Sequence, residues 1–439
     1  MKILELHVEG IKGVPGGVDK LALNFSAKNR DLPRWIVFAG RNGAGKSTLM
    51  RAIALAIAGP SVARLLAETF SGWIRDGEAR ASIAVRMQFS EGDSFAAGRR
   101  PTFDPWASLS WVRTDGPEPL IERTRVGGNW TPDRGPWAEN PKGWFIAGYG
   151  PFRRLSPAPT EAQRLMMSPG RPAALASLFR EDASLSESVQ WLQRIYLQRL
   201  EGREDAARLE ETVLALLDDG LLPEGMGVEK IDSQGLWVQT PERNSFPLTE
   251  LSDGYRTVAG LVLDLVKQIH AMNSDVPTDK VEGKVVITQE GVVIIDEIDV
   301  HLHVEWQKRI GFWLKDHFPN IQFLVTTHSP FICQAADPGG LIRLSPAWET
   351  GPAGIVVEGE AYNRVVNGST DEALLTDLFG LESTISKRAQ IDRERLAALE
   401  VAALRGTIDD FEEEELRQLS SRIPTAQTSS VDTALRLIE

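Results

Sequence analysis

Residues 35–59, WIVFAGRNGAGKSTLMRAIALAIAG, constrain the fold more than any other stretch of this chain. Trp35 to Ala39 is an apolar run of buried-strand type. GRNGAGKS, Gly40 to Ser47, fits the spacing GxxxxGK[ST], and Ser47 to Gly59 is apolar enough to be a helix buried on most sides. In a strand–loop–helix of this kind, backbone N–H groups curl around a β-phosphate and the helix N-terminus adds partial positive charge. Lys46 would then bridge the β- and γ-phosphates, and the Ser47 hydroxyl would ligate Mg²⁺. A chance Gly-rich turn has no reason to carry both flanking elements and the Lys-Ser pair.

Three further motifs follow in order. LSDGYR, Leu251 to Arg256, enters a helix ahead of an acidic strand. A Gly-rich loop alone leaves many functions open; this second motif narrows them sharply and suggests an ATPase whose site closes only when two copies face each other. VVIIDEID, Val292 to Asp299, is a buried strand ending in carboxylates. Asp296 would hold Mg²⁺ through its water shell, and Glu297 would act as general base for the attacking water. An acid at a strand end often only caps the next turn, but its pairing with the phosphate loop favours catalysis. IQFLVTTHSP, Ile321 to Pro330, ends another such strand and offers His328 to the γ-phosphate. ATP and Mg²⁺ are the expected cofactors.

Composition limits where such a chain works. Its 439 residues suit one large domain with insertions or two to three compact units. No run of eighteen apolar residues occurs, and MKILELHVEG alternates like a strand rather than a secretion signal, so no membrane span is expected. The single cysteine, Cys333, suits a reducing cytosol, and a cytoplasmic location is the expectation. A formal charge of -13 excludes a surface that is basic all over. Nucleic-acid binding would need a local basic patch, most naturally at a dimer groove.

Along the chain, KILELHV, LALNF and WIVFAG read as paired strands. Residues 91–145 are rich in Gly, Pro and Trp. Trp106, Trp111, Trp130, Trp137 and Trp144 there read as a small irregular sheet with its own aromatic core, ahead of a base-stacking surface. Residues 161–225 turn helical, with Ala206, Leu209, Val213 and Leu216 on one face and no sustained heptads. GLWVQTPERNSFPL reads as a hairpin, and NSDVPTDKVEGK as a polar loop. The expected division is residues 1–160 and 226–360 as two ATPase lobes around a helical insertion at 161–225. Residues 361–439 would be a helical C-terminal region, with the acidic run DDFEEEE as a solvated face or a partner-docking site.

The ordered set GRNGAGKS, LSDGYR, IIDEIDVHLH and TTHSP resembles the ABC-type ATPase heads of the SMC, RecF and OLD branch. That resemblance implies an α/β fold with a mostly parallel core sheet, antiparallel N-terminal strands, a helical insertion and a helical C-terminal region. Gly40, Asn42, Gly43, Gly45, Lys46, Ser47 and Thr48 would bind the nucleotide. Ser252 and the Gly254 backbone would reach the other subunit's γ-phosphate in a homodimer, and Asp299 matches the aspartate that communicates between the two sites. The family's lid residue is usually glutamine; Tyr149, in FIAGYGPFRR, stands at about that place. Asp253 and Tyr255 depart from the transporter version, as does TTHSP, which counts against an importer subunit. His301 and His303 read as packing or dimer contacts rather than a metal pair. IVVEGEAYN, Ile355 to Asn363, resembles the start of a Toprim nuclease domain, but the helical remainder offers no strand with paired aspartates. The resemblance therefore implies an ATPase that regulates an effector such as a nuclease, in bacterial antiphage defence. The alternative is a RecF-like repair ATPase that binds DNA as an ATP-gated clamp.

Overall fold

The computed structural model describes residues 1–14, 20–26, 31–96, 99–124, 132–139, 141–153, 164–166, 170–222, 225–346 and 348–423. The chain divides into two compact units, Met1–Phe379 and Gly380–Glu439. In the first, strands β1 (Lys2–Glu9), β2 (Leu21–Asn24) and β3 (Trp35–Ala39) precede helices α1 (Lys46–Ala58) and α2 (Pro60–Leu66). Strands β4 (Arg80–Gln88), β5 (Trp106–Val112), β6 (Leu120–Arg123) and β7 (Ile146–Tyr149) follow. Next come helices α3 (Arg171–Phe179), α4 (Ser186–Leu200) and α5 (Glu204–Asp218), then strands β8 (Gly227–Asp232), β9 (Gly235–Gln239) and β10 (Ser245–Pro247). Helix α6 (Asp253–Asn273) leads through β11 (Thr278–Val281) and β12 (Lys284–Ile287) to β13 (Gly291–Ile295). The unit continues with α7 (Val304–His317), β14 (Ile321–Thr327), α8 (Pro330–Cys333), β15 (Leu341–Leu344), β16 (Gly354–Val356), α9 (Gly359–Val366) and α10 (Thr370–Leu374).

The central sheet has the order β16-β15-β3-β14-β13-β7. All its pairings are parallel except β15 with β16. Strands β3, β13 and β14 are buried along their whole length, the pattern of parallel strands covered on both faces. Alternate residues feed two cores. Trp35, Val37, Val293, Ile295, Phe323 and Val325 join the core containing α6 and α7. Ile36, Phe38, Val292, Ile294 and Leu324 join the one under α1 and the antiparallel sheet. That second sheet has the order β2-β1-β4-β5-β6. Ala206, Leu209, Val213 and Leu216 of α5 are buried, as their spacing predicts.

Three readings change. WIVFAG does not pair with KILELHV and LALNF; β3 joins the central sheet, because it is apolar at every position while β1 and β2 alternate. The Trp-rich segment is no separate sheet: β5 and β6 extend the antiparallel sheet beyond β4. Trp111 and Trp144 are buried there, and Trp137 and Trp144 donate their indole N–H groups to the carbonyls of Ala56 and Ser94. Trp130 lies outside the described residues. The stretch expected as a polar loop contains β11 and the turn of the hairpin β11–β12. Glu282 and Gly283, both at positive φ, form its two-residue turn, as hairpin twist favours. Every β11 residue is exposed, so no apolar alternation marked the strand.

IVVEGEAYN becomes the edge strand β16 and the start of α9. In the second unit, helices α11 (Lys387–Leu404) and α12 (Asp410–Arg422) bury Leu399 and Leu419. The acidic run serves this pair locally: Asp409 caps α12, and Glu412 and Glu415 pair with Arg395.

Candidate active site at the ends of the parallel strands

Four parallel strands deliver their carboxyl ends to one edge of the central sheet, where ligands of open α/β sheets bind. GRNGAGKS follows β3, the acids follow β13, and TTHSP ends β14. The residues after β7 include Arg153. In the phosphate loop, Gly45 caps α1 at φ 73, and a side chain there would strike the Gly13 carbonyl. No side chain caps α1, which leaves its first N–H groups for an anion. Lys46 is 7 % exposed and folds back across the loop; its Nζ donates to the Gly40 carbonyl (3.0 Å) and the Arg41 carbonyl (3.3 Å). Burial pulls its pKa down, opposed by Asp296, Glu297 and Asp299. Ser47 and Thr48 are half-buried, whereas Asn42 and Gly43 are exposed at the loop tip.

Two threonines organise the acids. The Thr326 hydroxyl donates to Asp296 Oδ1 (2.5 Å) and accepts from the Glu297 N–H (2.7 Å). The Thr327 hydroxyl donates to Asp299 Oδ1 (2.6 Å). Glu297 has a left-handed backbone, φ 46, which costs a non-glycine residue about 1–3 kcal/mol and persists only where its surroundings enforce it. Its carboxyl pKa is raised by burial first and then by Asp296 and Asp299, against Lys46 and Arg153. A carboxyl moved toward neutrality is better matched to general-base work. His328 reaches the surface beside this group; desolvation and then Lys46 lower its pKa, so the ring is neutral at pH 7.

Lys46, Asp296, Glu297, Asp299 and His328 thus share one electrostatic neighbourhood within a single chain. The LSDGYR residues are placed differently. Ser252 is exposed at the N-cap of α6, without a side-chain capping bond. Gly254 packs against its own chain: a Cβ there would lie 2.6 Å from the His301 carbonyl. Tyr149 is wholly buried at the end of β7, where burial and the Asp264 carboxylate hold its pKa well up. It is a core residue. His303 Nδ1 accepts from the Glu305 N–H and caps α7, a structural use of that histidine. Among the described residues, no group of three or more Cys, His, Asp or Glu side chains forms a metal cage. Mg²⁺ commonly takes one or two protein oxygens plus substrate phosphates, and the hard oxygens of Ser47 and Asp296 fit that chemistry.

Sequence reasoning missed Thr326, Thr327, Arg153 and Trp348. The threonines had a signal, since hydroxyls at the end of a largely apolar buried strand need partners. Arg153 had none in the periodicity, yet it is 2 % exposed among the carbonyls of the acidic turn. Trp348 is 67 % exposed, with ring atoms 3.3 Å from where a side chain at Gly43 would begin.

Sheet order, phosphate loop and acidic strand end together define an ABC-type P-loop ATPase fold. Within it, residues 168–334 match the family described as "AAA domain, putative AbiEii toxin, Type IV TA system". The chain is homologous to retron ATPases and to Septu proteins. It is 39% identical over 93 residues to the Retron Ec83 probable ATPase of Escherichia coli, 21% of this chain and 16% of that protein. It is 24% identical over 434 residues to Septu protein PtuA of Bacillus mycoides (strain KBAB4), 95% of this chain and 50% of that protein. With Septu protein PtuA of Bacillus thuringiensis the identity is 32% over 143 residues, 31% of this chain and 33% of that protein. The chain therefore spans half or less of each of these relatives. It is also similar to an SMC head solved bound to the C-winged helix domain of ScpA, at 18% identity and a TM-score of 0.48, covering 81% of this chain and 98% of that one. No described helix is long and apolar enough to cross a membrane.

Proposed function

We propose that this chain binds ATP with Mg²⁺ and hydrolyses it slowly at two sites shared between the subunits of a head-to-head homodimer. The observation that carries this reading is the exposure of Ser252 at the start of α6. The phosphate-side and water-side groups already stand together, while Ser252 is exposed, without a capping bond, at the start of α6. A second copy would supply Ser252 and the Gly254 backbone to the γ-phosphate held by Lys46. Mg²⁺, held by Ser47 and Asp296, would offset charge on the β- and γ-phosphate oxygens. Glu297 accepts the proton of the attacking water, the neutral His328 ring hydrogen-bonds the γ-phosphate, and Asp299 sits at the seam between the subunits. ATP then joins the two heads and hydrolysis releases them.

The proposed output is control of a partner effector, such as a nuclease, in bacterial antiphage defence. Similarity to retron and Septu proteins supports this role. Glu297→Gln is expected to lower turnover by about 10²–10⁴-fold while trapping an ATP-bound dimer, measured by phosphate release and by mass in solution. A fully active Glu297→Gln protein removes the base assignment. Lys46→Ala mixed with Ser252→Arg leaves one intact shared site per heterodimer, and partial activity that neither mutant shows alone is the expected result. Absence of rescue in verified heterodimers removes the shared site. Co-purification with a neighbouring effector supports the defence role. ATP-dependent, steeply salt-dependent DNA binding by the chain alone would instead favour the repair clamp.

A further inference from the structure

We infer that Arg153 is the positioning residue for the candidate base: its guanidinium fixes the strained turn that aims the Glu297 carboxylate. This rests on the reading of Glu297 as the base. Arg153 Nη1 donates to the carbonyls of Gly150 (2.7 Å) and Asp296 (2.9 Å). Nη2 donates to the carbonyls of Glu297 (3.0 Å) and Ile298 (3.3 Å). Three consecutive carbonyls of the acidic turn therefore converge on one guanidinium, whose planar fork can hold several acceptors at once.

Those bonds surround the one residue whose backbone needs them. Glu297 is left-handed at φ 46, a conformation that a glutamate does not hold by its own preference. Its N–H is fixed by Thr326 and its carbonyl by Arg153, so both peptide units bearing Glu297 are tied down. Arg153 is held in turn, because its carbonyl accepts from the Thr257 hydroxyl of α6 at 3.3 Å. Thr257 lies directly after LSDGYR, so the same arginine joins the helix expected to face the second subunit to the turn carrying the base. The guanidinium is also the buried positive charge beside Asp296, Asp299 and Glu297. Burial brings its pKa down to about 10, which leaves it charged at neutral pH.

The test uses the full chain and three variants, Arg153→Met, Arg153→Lys and Thr257→Val. Turnover is read by phosphate release, and ATP binding by calorimetry in the Glu297→Gln background. Arg153→Met is expected to lower kcat by about 100-fold, the scale of misplacing a catalytic group by about 1 Å, with the ATP Kd changed less than threefold. Arg153→Lys, which keeps the charge and some donors, should recover part of the loss, and Thr257→Val should lower kcat severalfold at unchanged KM. Added to Glu297→Gln, Arg153→Met should cost no further turnover, because nothing is left to aim. A loss of ATP affinity in step with kcat overturns the inference and marks Arg153 as merely structural. So does a full additional loss in the Glu297→Gln background. If Arg153→Met does not fold, Arg153→Lys and Thr257→Val decide alone, and wild-type kcat in both overturns it. Failure of the underlying reading looks different: Glu297→Gln by itself stays active.

Discussion

The acidic turn after β13 and the LSDGYR stretch that opens α6 carry equally plain sequence motifs, yet the fold treats them in opposite ways. Asp296 is 1 % exposed and hydrogen-bonded by Thr326, Asp299 is bonded by Thr327, and the backbone between them is clamped by Arg153. Ser252 is exposed, lacks a side-chain capping bond, and starts a helix whose first turn is held through Gly254 against the His301 carbonyl. One half of the candidate site is preorganised inside the chain, where fixed dipoles need no rearrangement during reaction. The other is presented outward. The proposed composite site would account for the difference, since the outward half would then meet its ligand on another molecule.

Perturbing each half should separate the two. The largest effect is expected for Lys46→Ala, which removes the buried cation spanning the phosphate loop. ATP binding by calorimetry should disappear and turnover fall by about 10³-fold or more, in line with losing a charge clamp on the transferring phosphoryl group. Retained ATP affinity would mean that the loop is not the nucleotide anchor. Ser252→Arg comes next and sharpens the contrast. Unfolding free energy should move by no more than about 0.5 kcal/mol, as for an exposed position, while homodimer turnover falls at least about tenfold. A marked drop in melting temperature would place Ser252 in the preorganised half instead.

Thr326→Val should behave oppositely, being felt first in stability. It strips the partner from the Glu297 N–H and the donor from Asp296, and should cost about 1–3 kcal/mol in urea unfolding, with a smaller loss of turnover. A neutral outcome would show that the turn is held elsewhere. The smallest effect concerns pH. Glu297 must be ionised to accept a proton, and its raised pKa moves the acid limb of kcat above the ordinary glutamate range. His328, with a lowered pKa, adds no change between pH 7 and 8. A kcat that stays flat down to the ordinary carboxylate range would contradict that environment.

Much of the fold was legible because the signals were local. The largely apolar runs around Ile294 and Leu324 marked parallel strands, and the spacing of Ala206, Leu209, Val213 and Leu216 marked a helix face. The hairpin β11–β12 was hidden because none of the β11 side chains is buried. The lid position misled: Tyr149 stands at the family's place in sequence, but strand pairing with β13 draws it into the core. The arginine four residues later makes the contacts. Its partners are backbone carbonyls, which leave no trace in residue identity.

The sequence by itself determined the phosphate loop, the acids and the order in which they arrive, since each depends on a few neighbouring residues of fixed chemistry. Only the tertiary structure decided which groups share a neighbourhood. Four parallel strands bring residues some 250 positions apart, Lys46 and Asp296, to one sheet edge. The same packing left Ser252 facing outward and set Thr326 and Arg153 around Glu297. The physical reason is that motif chemistry is written in side chains, whereas strain, burial and hydrogen-bond closure arise only once distant backbones meet.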